Sequence, residues 1–448
     1  MTLIPLLPDA DRHAAFTFRQ GKAIDRETFH AQVMALAAAL PEGQRVMNLC
    51  ADRYWFAVAL FAAIARGMLT VLPNSAAPEH IAMVATEQPG LLVLGDQAAC
   101  PVEGLPYFRV DVLPSSGQPA VTEMPLIPFD QRIACMYTSG STGTPMPHFK
   151  TFGRMRLVIL AGAERVWAAA GAPCSVVGTV PIRHMYGLES SVLLPIFGGG
   201  RMSTQIPFFP ADIAASLAEM PAPRLLVITP FHLRKLLEAG IALPEIAVIL
   251  SATAPLSAEL AAQARQQLGC PVLEIYGSTE TGQVATRETD RENNWQTLQG
   301  ITLEQRDEEF WAVGEVYETP QMLNDTIELF SPQLFRLVDR KANMINVAGK
   351  RSSLSFLNAT LTSLPGVLDG VFCVPERNGN GEVERLAAFV VAPGLGRAQI
   401  LAGLRQHVDS VFLPRHVVFV ETLPRDGNGK ILARTLQDLI AQHILQRD

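Results

Sequence analysis

The sequence lacks the features that mark several protein classes. Its six cysteines form no CxxC pair, and a GxxxxGK[ST] phosphate loop is absent. The most apolar run, residues 54–65, has 12 residues, whereas a spanning helix needs about 20. The 36 Lys and Arg are outnumbered by 43 Asp and Glu, for a net charge of −7. We therefore expect no membrane span and no nucleic-acid partner, because phosphate neutralisation needs clustered basic residues.

The scattered cysteines and the N-terminus indicate a compartment. No basic region precedes the apolar residues of the N-terminus, and Asp9 and Asp11 follow early, which is unlike a secretory signal. Unpaired cysteines at irregular spacing are typical of buried thiols in a reducing environment. We expect a cytoplasmic protein with free cysteines.

The composition of the chain predicts a large folded protein. Of its 448 residues, 48% are hydrophobic and 18% are charged, which suits two or three domains of about 150 residues each. Strand-like and helix-like patterns alternate along residues 28–94 and again along residues 225–275. This alternation predicts an α/β fold with mostly parallel sheets and helices on both faces.

The distribution of charge changes near residue 340. Residues 341–448 carry 12 Lys and Arg against 9 Asp and Glu, whereas residues 1–340 are strongly acidic. Helix and strand patterns after residue 340 are those of an α+β unit. We predict a large N-terminal domain at 1–339 and a small C-terminal domain at 340–448.

Small and hydroxyl-bearing residues follow a predicted strand at 133–136. They form the stretch Tyr137-Thr138-Ser139-Gly140-Ser141-Thr142-Gly143-Thr144-Pro145. Small residues let the backbone approach a phosphate chain closely, and N–H groups and hydroxyls can then bind its oxygens. The stretch predicts either a phosphate-binding loop or a solvated turn.

A second polar motif follows the predicted strand at 272–275. It reads Tyr276-Gly277-Ser278-Thr279-Glu280-Thr281-Gly282 and lies where parallel sheets bind ligands, at a carboxyl strand end. Glu280 is well placed to hold Mg²⁺ beside phosphates. The alternative interpretation of Glu280 is an acidic residue at a helix start.

Two weaker signals lie further along the chain. Asp325 and Arg340 are residue types that bind ribose hydroxyls and phosphates, although singly each is more often a surface charge. The turn 426–429, Asp-Gly-Asn-Gly, presents Lys430 at its tip. Alone, Lys430 would be interpreted as a solvated turn lysine.

In this order and spacing, the four motifs resemble the adenylate-forming superfamily of acyl-CoA synthetases, adenylation domains and luciferase-like enzymes, over residues 130–435. The resemblance implies a large domain of αβ layers, a small mobile α+β lid domain and an active site between them. It implies ATP and Mg²⁺ as cofactors. A carboxylate attacks the α-phosphate of ATP, cations screen the two anions, and a thiol then takes the acyl group from the adenylate.

The resemblance assigns roles to the residues that match its motifs. The catalytic residues it implies are Lys430, Thr279, Glu280 as the Mg²⁺ ligand, and His184. The residues it places at ATP are Thr138, Ser139, Gly140, Ser141, Thr142, Gly143, Thr253, Tyr276, Gly277, Asp325 and Arg340. The acyl pocket it implies is lined by His184, Tyr186, Ser251, Ala252 and Gly277. A lone histidine is usually structural, but the motif around His184, residues 181–188, favours the pocket.

Departures from the superfamily pattern affect two regions. Its phosphate loop ends in Pro-Lys-Gly, whereas this chain has Pro145-Met146-Pro147. Lys150 either replaces the missing lysine at the phosphates or is an ordinary surface residue. The usual hinge reads Gly-Arg-x-Asp, whereas Lys341 and Ala342 follow Arg340 here. Lys341 or Ala342 is therefore expected to act as the hinge.

The departures also suggest a substrate. The stretches 139–150 and 349–354 are similar to compact stand-alone ligases of aryl-polyene and xanthomonadin pigment clusters. That resemblance implies activation of a hydroxylated aromatic acid such as 4-hydroxybenzoate and its transfer to the phosphopantetheine thiol of an acyl carrier protein. CoA is the alternative acceptor. A medium- or long-chain acyl-CoA synthetase and a non-catalytic adenylate-binding protein are the alternative functions.

Overall fold

The chain forms two compact units in a computed structural model. The structure describes residues 2–19, 21–73, 78–112, 123–139, 145–340, 344–347, 350–375, 386–425, 431 and 433–445. The large unit comprises Met1–Glu304, Ala312–Gln321 and Pro332–Leu334, and the small unit comprises Gln305–Trp311, Met322–Ser331 and Phe335–Asp448. Both units contain helices and sheets, which confirms the predicted α/β class; the boundary at residue 340 stays a prediction.

The strands of the large unit are short and mostly buried. In chain order they are β1 (Leu3–Pro5), β2 (Ala15–Arg19), β3 (Lys22–Asp25), β4 (Arg45–Asn48), β5 (Leu69–Leu72), β6 (Leu92–Gly95), β7 (Tyr107–Arg109), β8 (Leu126–Pro128), β9 (Arg132–Ser139), β10 (Pro145–Thr151), β11 (Ser175–Gly178), β12 (Arg201–Ser203), β13 (Arg224–Ile228), β14 (Val248–Ser251), β15 (Val272–Ser278), β16 (Gly282–Glu288) and β17 (Trp295–Thr297).

Helices connect these strands. They are α1 (Arg26–Ala39), α2 (Arg53–Ala65), α3 (Pro78–Glu87), α4 (Phe152–Ala170), α5 (Met185–Gly187), α6 (Leu194–Phe197), α7 (Pro210–Glu219), α8 (Pro230–Ala239) and α9 (Ala258–Leu268), with a π-helical segment at Leu188–Leu193. Side-chain caps start several of them: Asp25, Asp52, Thr229 and Ser257 each accept a backbone N–H of the first turn.

Two sheets build the large unit. Six strands lie in the order β10-β9-β5-β4-β6-β7, parallel except for β10 at the edge. The second sheet runs β17-β16-β15-β14-β13-β11-β12-β2-β3 within the large unit. Its strands are parallel from β15 to β2 and antiparallel at β16, β17 and β3. The carboxyl ends of the parallel strands therefore share one edge.

A buried arginine links helix α2 to two strands of the second sheet. Arg53 begins α2 and is fully buried, with its guanidinium donating to the Ser203 and Gly178 carbonyl oxygens at 2.7 Å each. Burial lowers the pKa of Arg53 to about 10. Because Gly178 ends β11 and Ser203 ends β12, the helix is fixed against the edge at which those strands finish.

One strand differs from the expectation. The predicted strand at 133–136 extends to Ser139 as β9, and the chain returns as β10, antiparallel to it. The sequence patterns did not predict β10, because its sequence is polar and contains two prolines. Proline is tolerated there because β10 is an edge strand, where a missing N–H costs no ladder bond.

The small unit is an α+β layer. Strands β18 (Thr302–Arg306), β19 (Glu309–Val313) and β20 (Gln321–Met322) lie where the chain alternates between the units, and the later elements follow. They are β21 (Asp325–Ser331), β22 (Leu334–Arg340), β23 (Met344–Val347), β24 (Lys350–Ser353), α10 (Leu354–Ser363), β25 (Asp369–Cys373), β26 (Ala387–Val391), α11 (Arg397–Arg405), β27 (His416–Phe419) and α12 (Ala433–Ile440).

Alternation along β26 organises the core of the small unit. Ala388 and Val390 face a cluster with α10 and α11, whereas Phe389 and Val391 face one with α12. Successive side chains of a strand point to opposite faces, so helices cover both sides. No helix in the described part of the chain is long and apolar enough to cross a bilayer. All six cysteines are free, and five are buried, as expected.

Candidate active site

A tight turn joins β15 to the antiparallel β16 and carries Glu280. Ser278 and Thr281 close it, because the Ser278 N–H donates to Thr281 Oγ1 at 3.0 Å and the Thr281 N–H to Ser278 Oγ at 3.2 Å. Gly282 has a φ of +68°, which favours glycine. The turn replaces the helix start that was the alternative interpretation of Glu280. It holds Thr279 and Glu280, both half-buried, at the carboxyl end of β15.

Strand β10 brings two basic side chains to this turn. His148 and Lys150 lie two residues apart, so they share one face of the strand. The Lys150 ammonium donates to the Glu280 carbonyl oxygen at 2.8 Å, and His148 Nε2 lies 3.7 Å from Glu280 Oε1. Lys150 is therefore part-buried and hydrogen-bonded to the turn, and its role at the phosphates stays a prediction.

The charges of the turn are shifted by their surroundings. Burial lowers the pKa of Lys150 to about 8, against the opposing charges of Glu189 and Glu280. For Glu280, burial raises the pKa, but its own backbone N–H, the Ser278 hydroxyl and the positive charges of His148 and Lys150 outweigh burial, so the pKa is lowered. Glu280 is thus held as a carboxylate.

Glu189 completes this charged cluster. It lies in the π-helical segment Leu188–Leu193, is only 2% exposed, and its Oε1 accepts the Gln283 N–H at 3.4 Å. Burial raises the pKa of Glu189 to about 7, against the charge of Lys150 and hydrogen bonds from Gln283. A buried acid therefore contacts the turn at residue 283, whereas β10 contacts it at residue 280.

The segment around His184 adjoins the same turn. His184 caps α5, its Nδ1 accepting the Tyr186 N–H at 3.3 Å. The Tyr186 hydroxyl is buried and donates to the Leu250 carbonyl oxygen at 2.6 Å. A Cβ added at Gly282 would lie 3.4 Å from the Met185 methyl carbon. The His184 segment therefore packs between the ends of β13 and β14 and the Glu280 turn.

The end of β14 and the loop that follows it carry two buried hydroxyls without a partner among the described residues. Ser251 Oγ and Thr253 Oγ1 are buried and find no hydrogen-bond partner in the part of the chain that the structure describes. Thr253 has a φ of +79°, an uncommon backbone conformation for a β-branched residue. Ala252 between them is buried. Strain and unpaired hydroxyls together are typical of a ligand-facing loop.

A buried acid fixes the position of that loop. Glu274 on β15 accepts the Leu256 N–H at 2.9 Å and binds Arg287 through two hydrogen bonds and the Thr289 hydroxyl through one. Arg287 also lies over the Trp295 ring, which neighbours the Tyr276 ring at 5.7 Å between centroids. The loop 251–256 and Tyr276 are thus held by one network.

Several predicted site residues cannot be placed with these. The phosphate loop residues Gly140, Ser141, Thr142 and Gly143, the hinge residues Lys341 and Ala342, and Lys430 lie outside the described residues. Thr138 and Ser139 end β9, and Arg340 ends β22, but their side chains are not described. Asp325 is half-buried and begins β21 in the small unit. Their roles stay predictions.

The residues of the large unit fit Mg²⁺ and a nucleotide. Glu280 is a half-buried carboxylate with a lowered pKa, and oxygen ligands of this kind suit Mg²⁺. The buried unpaired hydroxyls of Ser251 and Thr253 suit a polar ligand. A bound Mg²⁺ would supply charge that stabilises the developing phosphate transition state.

The sequence patterns did not point to Glu189, His148 or Tyr317. The Tyr317 hydroxyl is buried and has no hydrogen-bond partner in the described part of the chain. A signal for Glu189 existed. It is the only Asp, Glu, Lys or Arg between Arg183 and Arg201, and a lone charge in an apolar stretch is costly unless it is paired. His148 required knowledge that residues 145–151 form a strand.

Comparison with known proteins agrees with this geometry. A 4-coumarate–CoA ligase of Halorhodospira halophila is 28% identical over 312 residues, covering 66% of this chain and 73% of that protein. The fatty acid–[acyl-carrier-protein] ligase ScoC of Streptomyces coeruleorubidus is 24% identical, covering 94% of this chain and 92% of that protein. Both relatives are ligases by name.

Solved structures share the fold. The o-succinylbenzoate CoA synthetase of Bacillus subtilis with its acyl-adenylate superposes with a TM-score of 0.82 at 19% identity, covering 98% of this chain and 99% of that chain. ATP-bound MatB of Rhodopseudomonas palustris gives 0.78 at 19% identity, covering 96% of each. The Bacillus enzyme has also been solved with ATP and magnesium.

Fold and site define a ligase that activates an acid as its adenylate. The chain belongs to the AMP-binding enzyme family: the family profile matches residues 9–307, and the profile of the AMP-binding enzyme C-terminal domain matches residues 358–430. The resemblance to the adenylate-forming superfamily is thereby confirmed.

Proposed function

We propose that the protein activates a hydroxylated aromatic acid, such as 4-hydroxybenzoate, with ATP and Mg²⁺, and transfers it to the phosphopantetheine thiol of an acyl carrier protein. This is the activity expected of the aryl-polyene type of ligase. In the proposal Glu280 holds Mg²⁺, Thr279 contacts the α-phosphate, Tyr276 and Gly277 lie at the adenine, and Asp325 and Arg340 hold the ribose.

The residues that follow His184 support an aromatic acid as the substrate. Tyr186, Leu188 and Glu189 are at most 6% exposed, so the segment after His184 is buried. Its polar groups include Glu189 and the Ser190 hydroxyl, which is buried without a partner among the described residues. In the proposal these buried polar groups meet the hydroxyl group of an aromatic ring, since a few placed polar groups fix the orientation of a ligand in an apolar site. The relatives named 4-coumarate–CoA ligase support an aromatic acid.

Charge supports a carrier protein as acceptor. The C-terminal residues 341–448 are net positive, with 12 Lys and Arg against 9 Asp and Glu. Carrier proteins are acidic, and opposite charges steer encounter. ScoC, named for transfer to an acyl carrier protein, resembles this chain over most of its length. CoA also carries phosphates, so both acceptors belong in the test.

The test is pyrophosphate release with ATP and Mg²⁺ across hydroxybenzoates, cinnamates and fatty acids, followed by acyl transfer to phosphopantetheinylated carrier protein or CoA. We expect one hydroxybenzoate to give the strongest signal and carrier protein to be the better acceptor. A fatty-acid signal would favour a medium- or long-chain acyl-CoA synthetase. ATP binding without turnover of any acid would favour the non-catalytic alternative.

Lys430 is proposed to bridge the carboxylate and the α-phosphate. Replacing Lys430 with Ala removes a charge used chiefly in the transition state, so kcat for pyrophosphate release should fall at least about 100-fold while KM for ATP changes little. Lys235→Ala is the matched control, since Lys235 is exposed and its ion pair with Glu238, at 2.7 Å, lies on the surface of α8, where such pairs contribute little. An active Lys430→Ala enzyme would refute the role.

A further inference from the structure

The backbone of the Glu280 turn forms hydrogen bonds with two side chains from elsewhere in the chain. On one side, the Lys150 ammonium donates to the carbonyl oxygen of Glu280 at 2.8 Å. On the other, Glu189 Oε1 accepts the N–H of Gln283 at 3.4 Å. Lys150 comes from an edge strand of the six-stranded sheet, and Glu189 comes from the segment after His184. Two distant elements therefore converge on four consecutive residues.

Glycine at 282 allows the second contact. A Cβ at that position would lie 2.7 Å from Glu189 Oε1 and would push the carboxylate away. The Gln283 side chain also lowers the pKa of Glu189, against the effect of burial. The carboxylate is thus fitted to the turn by the shape of the backbone as well as by charge.

The two side chains are also coupled electrostatically. Of the charges that act on the Lys150 ammonium, Glu189 has the larger effect and Glu280 the smaller. A buried acid and a buried base are each costly alone, and removing one leaves the other uncompensated. Making one side chain neutral therefore destabilises the other at its place beside the turn.

We propose that Glu189 and Lys150 act as a pair of positioning residues that clamp the Glu280 turn, and so fix the carboxylate that holds Mg²⁺. The inference rests on the proposed use of Glu280 as the Mg²⁺ ligand. It gives Lys150 a role through the backbone of the turn, in place of direct contact with the phosphates. Groups that orient a metal ligand typically change metal affinity by about 10- to 100-fold when replaced.

The test is a double-mutant cycle on the full-length protein with Glu189→Gln, Lys150→Met and the double variant. ATP binding is measured by titration calorimetry at Mg²⁺ equal to ATP and at a large excess of Mg²⁺. We expect each single variant to weaken ATP binding about tenfold at low Mg²⁺, and excess Mg²⁺ to restore the binding. The double variant should bind ATP as well as the single variant that has the lower affinity. Lys150→Arg should retain most of the affinity.

Hydrogen–deuterium exchange of the peptide spanning residues 278–283 gives a second readout that needs no ligand. Exchange should be faster in each variant than in the wild type. Glu274→Gln is the matched control, because Glu274 is a buried carboxylate on β15, the strand that leads into the turn. Its effect on ATP affinity should add to the effect of Lys150→Met. The clamp would be overturned if the losses of ATP affinity caused by Glu189→Gln and Lys150→Met added in the double variant. It would also be overturned if excess Mg²⁺ did not restore ATP binding by Lys150→Met.

Failure of the proposed function is a different result. If the wild type releases no pyrophosphate with any acid but the cycle shows coupling and faster exchange of the turn, the clamp stands and the reaction assignment falls. If the reaction proceeds and the cycle shows no coupling, the clamp alone is refuted. Where Lys150→Met or Glu189→Gln does not fold, Lys150→Gln and Glu189→Leu take their places in the cycle, because they also remove the charges.

Discussion

Gly277 shows how closely the backbone packs at the site. A Cβ at Gly277 would lie 2.1 Å from the Gly282 carbonyl oxygen, a distance that no relaxed structure allows. Either the turn or the end of β15 would have to shift. Glycine at this position follows from the bulge between Tyr276 and Gly277 in the β15–β16 register.

The first prediction concerns Gly277→Ala. Displacing the turn by about 1 Å should lower kcat/KM for pyrophosphate release by about 100-fold, since misplacement of that size has this cost in other enzymes. Gly43→Ala is the control, because a Cβ at Gly43 meets no atom within 4 Å. Equal activity of the two variants would contradict the packing argument.

The second prediction concerns pH and Glu189. Its pKa is raised from 4.5 to about 7 by burial, so between these values the folded state binds more protons than the unfolded state. The contribution of Glu189 to stability is therefore fully present below about pH 4.5 and is lost as the pH rises through about 7.

Urea unfolding of the wild type and of Glu189→Gln across pH 4.5 to 7.5 measures this effect. The difference in free energy of unfolding, wild type minus variant, should fall as the pH rises, because Gln does not ionise. A difference that is independent of pH would show that Glu189 titrates normally.

At the scale of elements, an ion pair anchors the segment that leads to Lys430. The Arg425 guanidinium binds the Asp369 carboxylate through two hydrogen bonds, at 2.6 Å and 2.9 Å. Asp369 begins β25, so the chain is tied to the sheet of the small unit just before residues 426–430. Bidentate pairs of this kind fix orientation as well as distance.

The third prediction is that Arg425→Ala lowers kcat for pyrophosphate release about tenfold, because Lys430 is then less well positioned. Thiol transfer from preformed acyl-adenylate should change little, since Lys430 is proposed to act in the first half-reaction. Arg397→Ala is the control, as Arg397 binds the Arg415 carbonyl oxygen on an exposed surface. An equal loss in both half-reactions would point to a general folding defect.

At the scale of the whole molecule, nucleotide and Mg²⁺ are expected to stabilise the folded chain. Binding at 100 times Kd adds about 2.7 kcal/mol to the free energy of unfolding. In the large unit, the Glu280 carboxylate and the buried hydroxyls of Ser251 and Thr253 fit the ligand. We therefore expect the thermal midpoint to rise by a few degrees when ATP and Mg²⁺ are added together.

Differential scanning calorimetry with ATP, Mg²⁺, both and neither makes this measurement. Glu280→Gln should keep the wild-type midpoint without ligand and lose most of the rise with ATP and Mg²⁺, since the carboxylate is proposed to hold the metal. A rise of the same size in wild type and variant would remove Glu280 from the Mg²⁺ site.

The sequence by itself determined the α/β class, the family and the motif at Tyr276–Gly282. These follow from local signals: alternating hydrophobic periods, glycines where the backbone must pass closely, and polar residues directly after buried strands. Helix α9 carries both end signals in its own sequence, since Ser257 caps it and Gly269 ends it in the left-handed conformation.

The tertiary structure decided which side chains meet. Lys150, Glu189 and Glu280 are far apart in the chain, and no local pattern brings them together. The pairing of β10 with β9 places Lys150 at residue 280 of the turn, and the burial of the segment after His184 places Glu189 at residue 283. Periodicity reports which face of an element is buried, whereas long-range packing determines what that face contacts.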